Sequence, residues 1–173
     1  MGAVQPRMPF AVYTDGFEAM PWAPSGWMGN TDSMTLDGAY ADEVHDGNAA
    51  IRMRYTGTYG WVGVAWQHPA NNWGEQDGGF DVTGATALEL WAKGEYGGEK
   101  VTFGVGLLDA DRAYPDSTIA KTDTIALTSA WQQFRIRLEG KDLSSLKTGF
   151  VVTLQGRTSP VTVYLDSIRF IKE

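Results

Sequence analysis

The segment Pro160–Phe170 constrains the fold more than any other stretch, reading Pro-Val-Thr-Val-Tyr-Leu-Asp-Ser-Ile-Arg-Phe. A β-strand sends successive side chains to opposite faces. Val161, Val163 and Leu165 then share one face, while Thr162, Tyr164, Asp166, Ile168 and Phe170 share the other. Both sets are largely apolar, which predicts a strand buried on both sides in the middle of a sheet. Asp166 interrupts it. A buried carboxylate is costly unless it is paired or binds a metal, so Asp166 needs a partner from elsewhere in the chain. Tyr13-Thr14-Asp15-Gly16-Phe17-Glu18 and Asp46-Gly47-Asn48 are the segments able to supply one. A cation joining the first and last strands is the central structural expectation.

Period-2 alternation recurs through the rest of the chain. Strands are expected at 10–15, 49–55, 59–67, 87–93, 100–108, 122–127, 131–138 and 150–155, before the closing strand at 160–170. Residues 1–9 read as a disordered lead-in, and 10–173 as a single domain. Segment 16–48 carries Pro21, Pro24 and many Gly, Asp and Ser residues, and reads as a long irregular cover over a sheet. A chain of 173 residues with 43% hydrophobic content is long enough to bury a full core. No helix of ordinary length is expected. Glycine-rich turns between alternating strands point to an all-β fold: a β-sandwich jelly roll of two antiparallel sheets.

In a jelly roll, alternate strands belong to alternate sheets. One sheet then holds 49–55, 160–170, 87–93 and 131–138, and turns Arg52, Arg54, Glu89, Trp91, Lys93, Arg135 and Arg137 outward. The other holds 59–67, 150–155, 100–108 and 122–127. Its outer face shows Trp61, Gly63, Thr153, Gln155, Thr102, Gly104 and Gly106. A floor of small residues beside one large aromatic leaves room for a ligand groove. Trp66 shares the parity of Val62 and Val64, so Trp66 belongs to the core and Trp61 to the groove. Strand direction also alternates, which brings Trp73 to the lip beside Asp109, Asp111, Arg112 and Tyr114.

Several function classes fall away. A net charge of −7 does not supply the basic face of a nucleic-acid binder. No apolar run reaches the ~18 residues of a membrane helix. With no cysteine, any metal would be held by oxygen or His ligands. His45 and His68 lie in separate loops without zinc-protease spacing, and neither a nucleophile elbow nor a phosphate loop is present. A glycosidase needs two carboxyls about 5 Å or about 6.5 to 9.5 Å apart. Asp109 and Asp111 are two apart on a loop, with no buried partner acid.

Four segments carry a resemblance. They are Asp15-Gly16-Phe17-Glu18, then Asp46-Gly47-Asn48 followed by Ile51-Arg52-Met53-Arg54-Tyr55-Thr56-Gly57, then Tyr59-Gly60-Trp61-Val62-Gly63, and Val163-Tyr164-Leu165-Asp166-Ser167-Ile168. Together they resemble β-jelly-roll carbohydrate-binding modules, most closely those of family 11. The resemblance implies a non-catalytic module that binds a polysaccharide or oligosaccharide on its concave sheet. It also implies a structural calcium, with ligands at Asp15 or Glu18, at Gly47 or Asn48, and at Asp166. A monomer within a larger parent protein, secreted or at the cell surface, is expected. Candidate sugar contacts are Tyr59, Trp61 and Trp73 by stacking, and Asp109, Arg112, Thr153 and Gln155 by hydrogen bonding. Where the family places tyrosines and acids, this chain has mostly Thr, Gly and Gln. The alternatives are that Asp15 and Asn48 cap turns while Asp166 pairs with an Arg, and that the Asp109–Arg112 loop is merely solvated. Rival functions are a small jelly-roll glycoside hydrolase or lyase using Asp109, Asp111 or Glu75, and a structural or adaptor domain.

Overall fold

The alternating segments pair into two antiparallel sheets of six strands each in a computed structural model that describes residues 6–173. In chain order the strands are β1 (Phe10–Tyr13), β2 (Ala23–Gly29), β3 (Met34–Tyr40), β4 (Ala50–Tyr55), β5 (Trp61–Gln67), β6 (Ala87–Gly94), β7 (Lys100–Val105), β8 (Ala120–Lys121), β9 (Ile125–Ala126), β10 (Gln132–Arg137), β11 (Thr148–Gln155) and β12 (Val161–Ile171). The first sheet runs β10-β6-β12-β4-β3, with β1 also on β12. The second runs β2-β5-β11-β7-β8, with β9 also on β7. This is the jelly-roll partition that alternation predicts. Ile51, Met53, Leu88 and Leu90 of the first sheet meet Val64, Trp66, Phe103 and Phe150 of the second, all buried in one core. The one helical element among the described residues is a 3-10 turn at Thr31–Ser33. No helix there is long and apolar enough to cross a membrane.

Three expectations are corrected. Segment 16–48 is not irregular, because β2 pairs with β5 and β3 with β4, adding one strand to each sheet. Pro24, Gly26 and Gly38 hide them. Proline is tolerated on an edge strand. Each glycine admits a neighbour's side chain: a Cβ on Gly26 would lie 2.7 Å from Gln67 Cδ, and one on Gly38 2.6 Å from the Phe17 ring. Of the strand expected at 122–127 only the two residues of β9 form, with β8 just before that range. Of the expected lead-in, residues 1–5 lie outside the described residues, while Met8 packs against the core.

A further correction concerns β12. Its register with β6 jumps between Asp166↔Trp91 and Arg169↔Glu89, and Ser167 has φ +49. The bulge inserts one extra residue and reverses the facing beyond it. Ile168 and Phe170 therefore join Val161, Val163 and Leu165 in the core. Only the facing of Ile168 and Phe170 changes, since the outer face of the strand is also buried at Thr162, Tyr164 and Asp166. Asp166 stands at the bulge. On one edge of β12, β4 covers residues 161–165 and β1 covers 168–170, leaving Asp166 between them.

Long side chains cover the outer face of the first sheet. The Arg52 guanidinium lies 5.3 Å from the centre of the Tyr40 ring, and the Lys93 ammonium 5.7 Å from that of Tyr164. Glu89, expected outward and exposed, is buried under its donors: Arg169 Nε at 2.7 Å, Gln133 Nε2 at 3.1 Å and Arg135 Nη2 at 3.3 Å. Trp91 stacks on His45 at 3.9 Å.

Candidate functional site

The outer face of the second sheet is built from short side chains. Thr102 and Thr153 are directly opposed across β7 and β11, and their hydroxyls are 2.5 Å apart. Val151 opposes Gly104 one step along the strand. The result is a cavity of ≈350 Å³ lined by Met28, Trp61, Thr102, Gly104, Asp109 and Thr153, with Ile119 and Lys121 at its far wall. Trp61 is 45% exposed and Trp66 is buried, as strand parity predicts.

Gly63 explains how the indole is placed. A Cβ there would lie 3.2 Å from both Trp61 Cζ3 and Met28 Cε. Its absence lets the Trp61 ring and the Met28 methyl lie over the strand. Gly104 lies lower in the floor, where a Cβ would meet the Ala120 carbonyl at 3.3 Å, Lys121 Cβ at 3.5 Å and Val151 Cβ at 3.7 Å. Gly106 differs. Its φ of +78 and the Thr118 carbonyl, into which a Cβ would run, make it a backbone requirement rather than a space-maker.

Of the expected contact residues, Trp61, Asp109 and Thr153 come together in this cavity. Gln155 pairs with Trp61 across β5 and β11 but borders a separate cavity at the hairpin end. Tyr59 stands at that end too, exposed, with φ +58. The loops that carry Trp73 and Arg112 meet at the opposite end. There the Tyr114 N–H donates to the Gly74 carbonyl at 2.9 Å, and the Arg112 side chain packs against Gly74. The lip forms as expected, but Trp73 and Arg112 are not part of the cavity lining.

The sequence reading missed Met28, because β2 was hidden, and Asp116. Asp116 is buried and accepts four backbone N–H bonds, from Leu107 and Leu108 at 2.8 and 2.9 Å and from Lys147 and Thr148 at 2.7 and 3.0 Å. It fixes the root of the loop that carries Asp109. Nothing in Pro115-Asp116-Ser117 distinguishes it from its polar neighbours.

The expected calcium ligands occupy the seam between the first and last strands. Asp166 Oδ2 accepts the His45 and Asp46 N–H groups, both at 3.0 Å, and Oδ1 accepts that of Ser167 at 2.8 Å. Asp15 Oδ1 accepts the Asn48 N–H at 3.0 Å and the Ala49 N–H at 3.4 Å. The partner segments are those the sequence named, but the joining groups are backbone donors. Burial pushes the Asp166 carboxyl above its ordinary pKa, with the three N–H bonds opposing the shift. N–H groups converging on a carboxylate make a site for negative charge, not for a cation. Gly47, at φ +73, shapes the turn, and Glu18 is exposed beside Phe17 and Asp37. Among the described residues no three His, Asp or Glu side chains converge as a metal ligand set. Calcium also takes carbonyl and amide oxygens, and Gly47 and Asn48 carry such groups beside Asp15 at this seam.

The enzyme alternative lacks its acid pair. Asp109 is the lone carboxylate lining the groove among the described residues.

The fold recurs in solved structures. A family 30 carbohydrate-binding module of the cellulosomal cellulase Cel9D-Cel44B of Clostridium thermocellum is 22% identical, with a TM-score of 0.60 over 96% of this chain and 99% of that one. TmCBM61, in complex with β-1,4-galactotriose, is 15% identical, with a TM-score of 0.55 over 96% of this chain and 100% of that one. A family 11 module of Clostridium thermocellum, in complex with a β-1,3-1,4-mixed-linked tetrasaccharide, is 13% identical, with a TM-score of 0.55 over 94% and 95%. No curated relative matches the sequence at a significant level. The jelly-roll module type inferred from the four sequence segments therefore stands, with the family resolved by its profile. That profile, described as carbohydrate binding domain 30, matches residues 12–172, and the chain belongs to this family of non-catalytic carbohydrate-binding modules.

Proposed function

We propose that this module binds a polysaccharide or oligosaccharide laid over Trp61 on the outer face of the second sheet. It would act as a monomer that holds a larger extracellular parent protein near its glycan. The observation that carries the reading is the ≈350 Å³ cavity that joins the Trp61 ring to Thr102, Thr153 and Asp109. An exposed indole face stacks on the C–H face of a pyranose, and neighbouring hydroxyl and carboxylate groups satisfy the sugar's hydroxyls. Gly63 leaves room for the ring to lie over the strand beside Met28.

The mixed-linked tetrasaccharide and the galactotriose found with the structural relatives are suitable first probes, followed by a glycan array. Isothermal titration of the wild type and Trp61→Ala tests the site. Loss of a well-placed aromatic anchor costs about 2 kcal/mol, roughly thirtyfold in affinity. The melting temperature should stay near wild type, because Trp61 is not part of the core. Undiminished binding by Trp61→Ala, or a glycan array without a wild-type hit, would sink the proposal.

A further inference from the structure

We propose that Lys121 is a second anchor for the glycan, a hydrogen-bond donor on the far wall of the groove with Ile119 as its apolar neighbour. The proposal rests on the reading of the Trp61 face as the glycan groove. It adds how the ligand lies: a sugar chain laid across the sheet, reaching from Trp61 to β8.

Register puts Lys121 on the groove side. It pairs with Gly104 at the edge of the sheet, and Gly104 pairs on its other side with Val151. Residues directly opposite in a ladder share a face, and a Cβ on Gly104 would lie 3.5 Å from that of Lys121. β8 has only two residues, yet its backbone is held just beyond Lys121. The Thr122 N–H donates to the Phe103 carbonyl at 2.8 Å, and the Phe103 N–H donates to Thr122 Oγ1 at 3.1 Å.

Lys121 is exposed and is the lone cation lining the groove among the described residues. It takes part in no ion pair among them either, although the chain carries 21 acids to 14 Lys and Arg. Asp109, the carboxylate of the groove, is likewise unpaired. A lysine on a short edge strand can simply block edge-to-edge pairing. That role does not account for Ile119 two residues earlier, which lines the same groove and is 44% exposed. An aliphatic surface beside an ammonium suits a sugar, which offers C–H groups and hydroxyl oxygens together. The ammonium donates up to three hydrogen bonds and accepts none, and bonds from a charged donor are the stronger ones.

In sheet order β5, β11, β7 and β8 are successive neighbours. Lys121 is therefore three strand spacings from Trp61, about 14 Å. A ligand touching both walls extends across β11 and β7, over Thr153, Thr102 and Gly104.

The test is titration of wild type, Lys121→Met and Lys121→Arg with the mixed-linked tetrasaccharide, alongside melting curves. Methionine keeps most of the stem and removes the donors, whereas arginine keeps charge and donors. Lys121→Met should lose about tenfold in affinity, the size expected for a hydrogen bond to a charged group. Lys121→Arg should recover most of that loss. Neither variant should melt more than a few degrees from wild type, since Lys121 is exposed. Unchanged affinity in Lys121→Met, an equal loss in both variants, or a loss that comes with a large fall in melting temperature overturns the anchor and leaves the groove intact. Absence of wild-type binding, or binding unaffected by Trp61→Ala, instead overturns the groove reading and the anchor with it.

Discussion

The two outer faces of the sandwich share strand geometry and differ in side-chain length. On the first sheet Arg52, Lys93, Tyr40 and Tyr164 fold over one another, and Glu89 disappears beneath Arg135 and Arg169. On the second, Gly63, Gly104, Thr102 and Thr153 occupy corresponding outward positions, and a groove remains. A sheet face covered by its own long side chains leaves little room for a ligand. A face of glycine and threonine leaves its polar groups and its one large aromatic available. On the proposed reading the first sheet is the structural half of the module and the second the binding half.

The largest expected effect lies on the structural half. Asp166→Ala leaves three backbone donors without their acceptor, and should cost about 3 kcal/mol of stability. Glycan affinity of the folded fraction should be unchanged. Melting in a chelator separates backbone donors from a bound cation: donors alone predict an unchanged curve, a calcium ion a fall of several degrees. A pH series sharpens the point. Burial raises the folded pKa of Asp166 above its unfolded value of about 3.9, so the folded protein holds that proton more tightly. This contribution is complete below about pH 4 and is lost as pH rises through the folded pKa. The stability of wild type relative to Asp166→Asn should therefore fall as pH rises from 4. A constant difference across that range would show that burial does not dominate at Asp166.

The middle effect lies on the binding half. Gly104→Val adds bulk to the groove floor without deleting a contact, and strands accept valine well. A Cβ there meets the Ala120 carbonyl at 3.3 Å, tight enough to lower the melting temperature by a few degrees. Glycan affinity should fall about tenfold, or ~1.4 kcal/mol. Should the variant fold and bind like wild type, the floor is not where the sugar lies, and the division between the two faces breaks.

The division was legible in the sequence wherever side-chain parity alone decides it. Ile51, Met53 and Tyr55 against Arg52 and Arg54, or Trp66 against Trp61, could each be assigned from spacing because their strands run without interruption. Parity failed where the backbone departs from regular pleating. Ser167 reverses the facing of Ile168 and Phe170, and no residue type at 167 announces a bulge. The edge strands β2 and β3 escaped because glycines placed for a neighbour's side chain look like turn glycines. Acids were the least legible. Asp109 could be placed at the groove from the sequence, but nothing local marks Asp116, which is saturated by backbone donors, or Glu99, which is buried with a free oxygen. Which oxygen meets which N–H depends on loop packing between distant segments, and local sequence does not encode it.

The smallest expected effect tests whether the first sheet is as silent in binding as its self-covering suggests. Arg52 is well suited because its guanidinium serves a local purpose, lying 5.3 Å from the Tyr40 ring centre on the face opposite the groove. A partly exposed cation–π contact contributes about 0.5 to 1 kcal/mol, and the aliphatic stem adds some packing over the strand. Arg52→Ala should therefore lower stability by about 1 kcal/mol, a melting shift of roughly 2 to 4 °C for a domain of this size. Titration with the tetrasaccharide should give the wild-type affinity, since no side chain of the groove touches this face. A several-fold loss would place sugar on the charged sheet, and the contrast between a self-covered face and an open one would then no longer predict where this module binds.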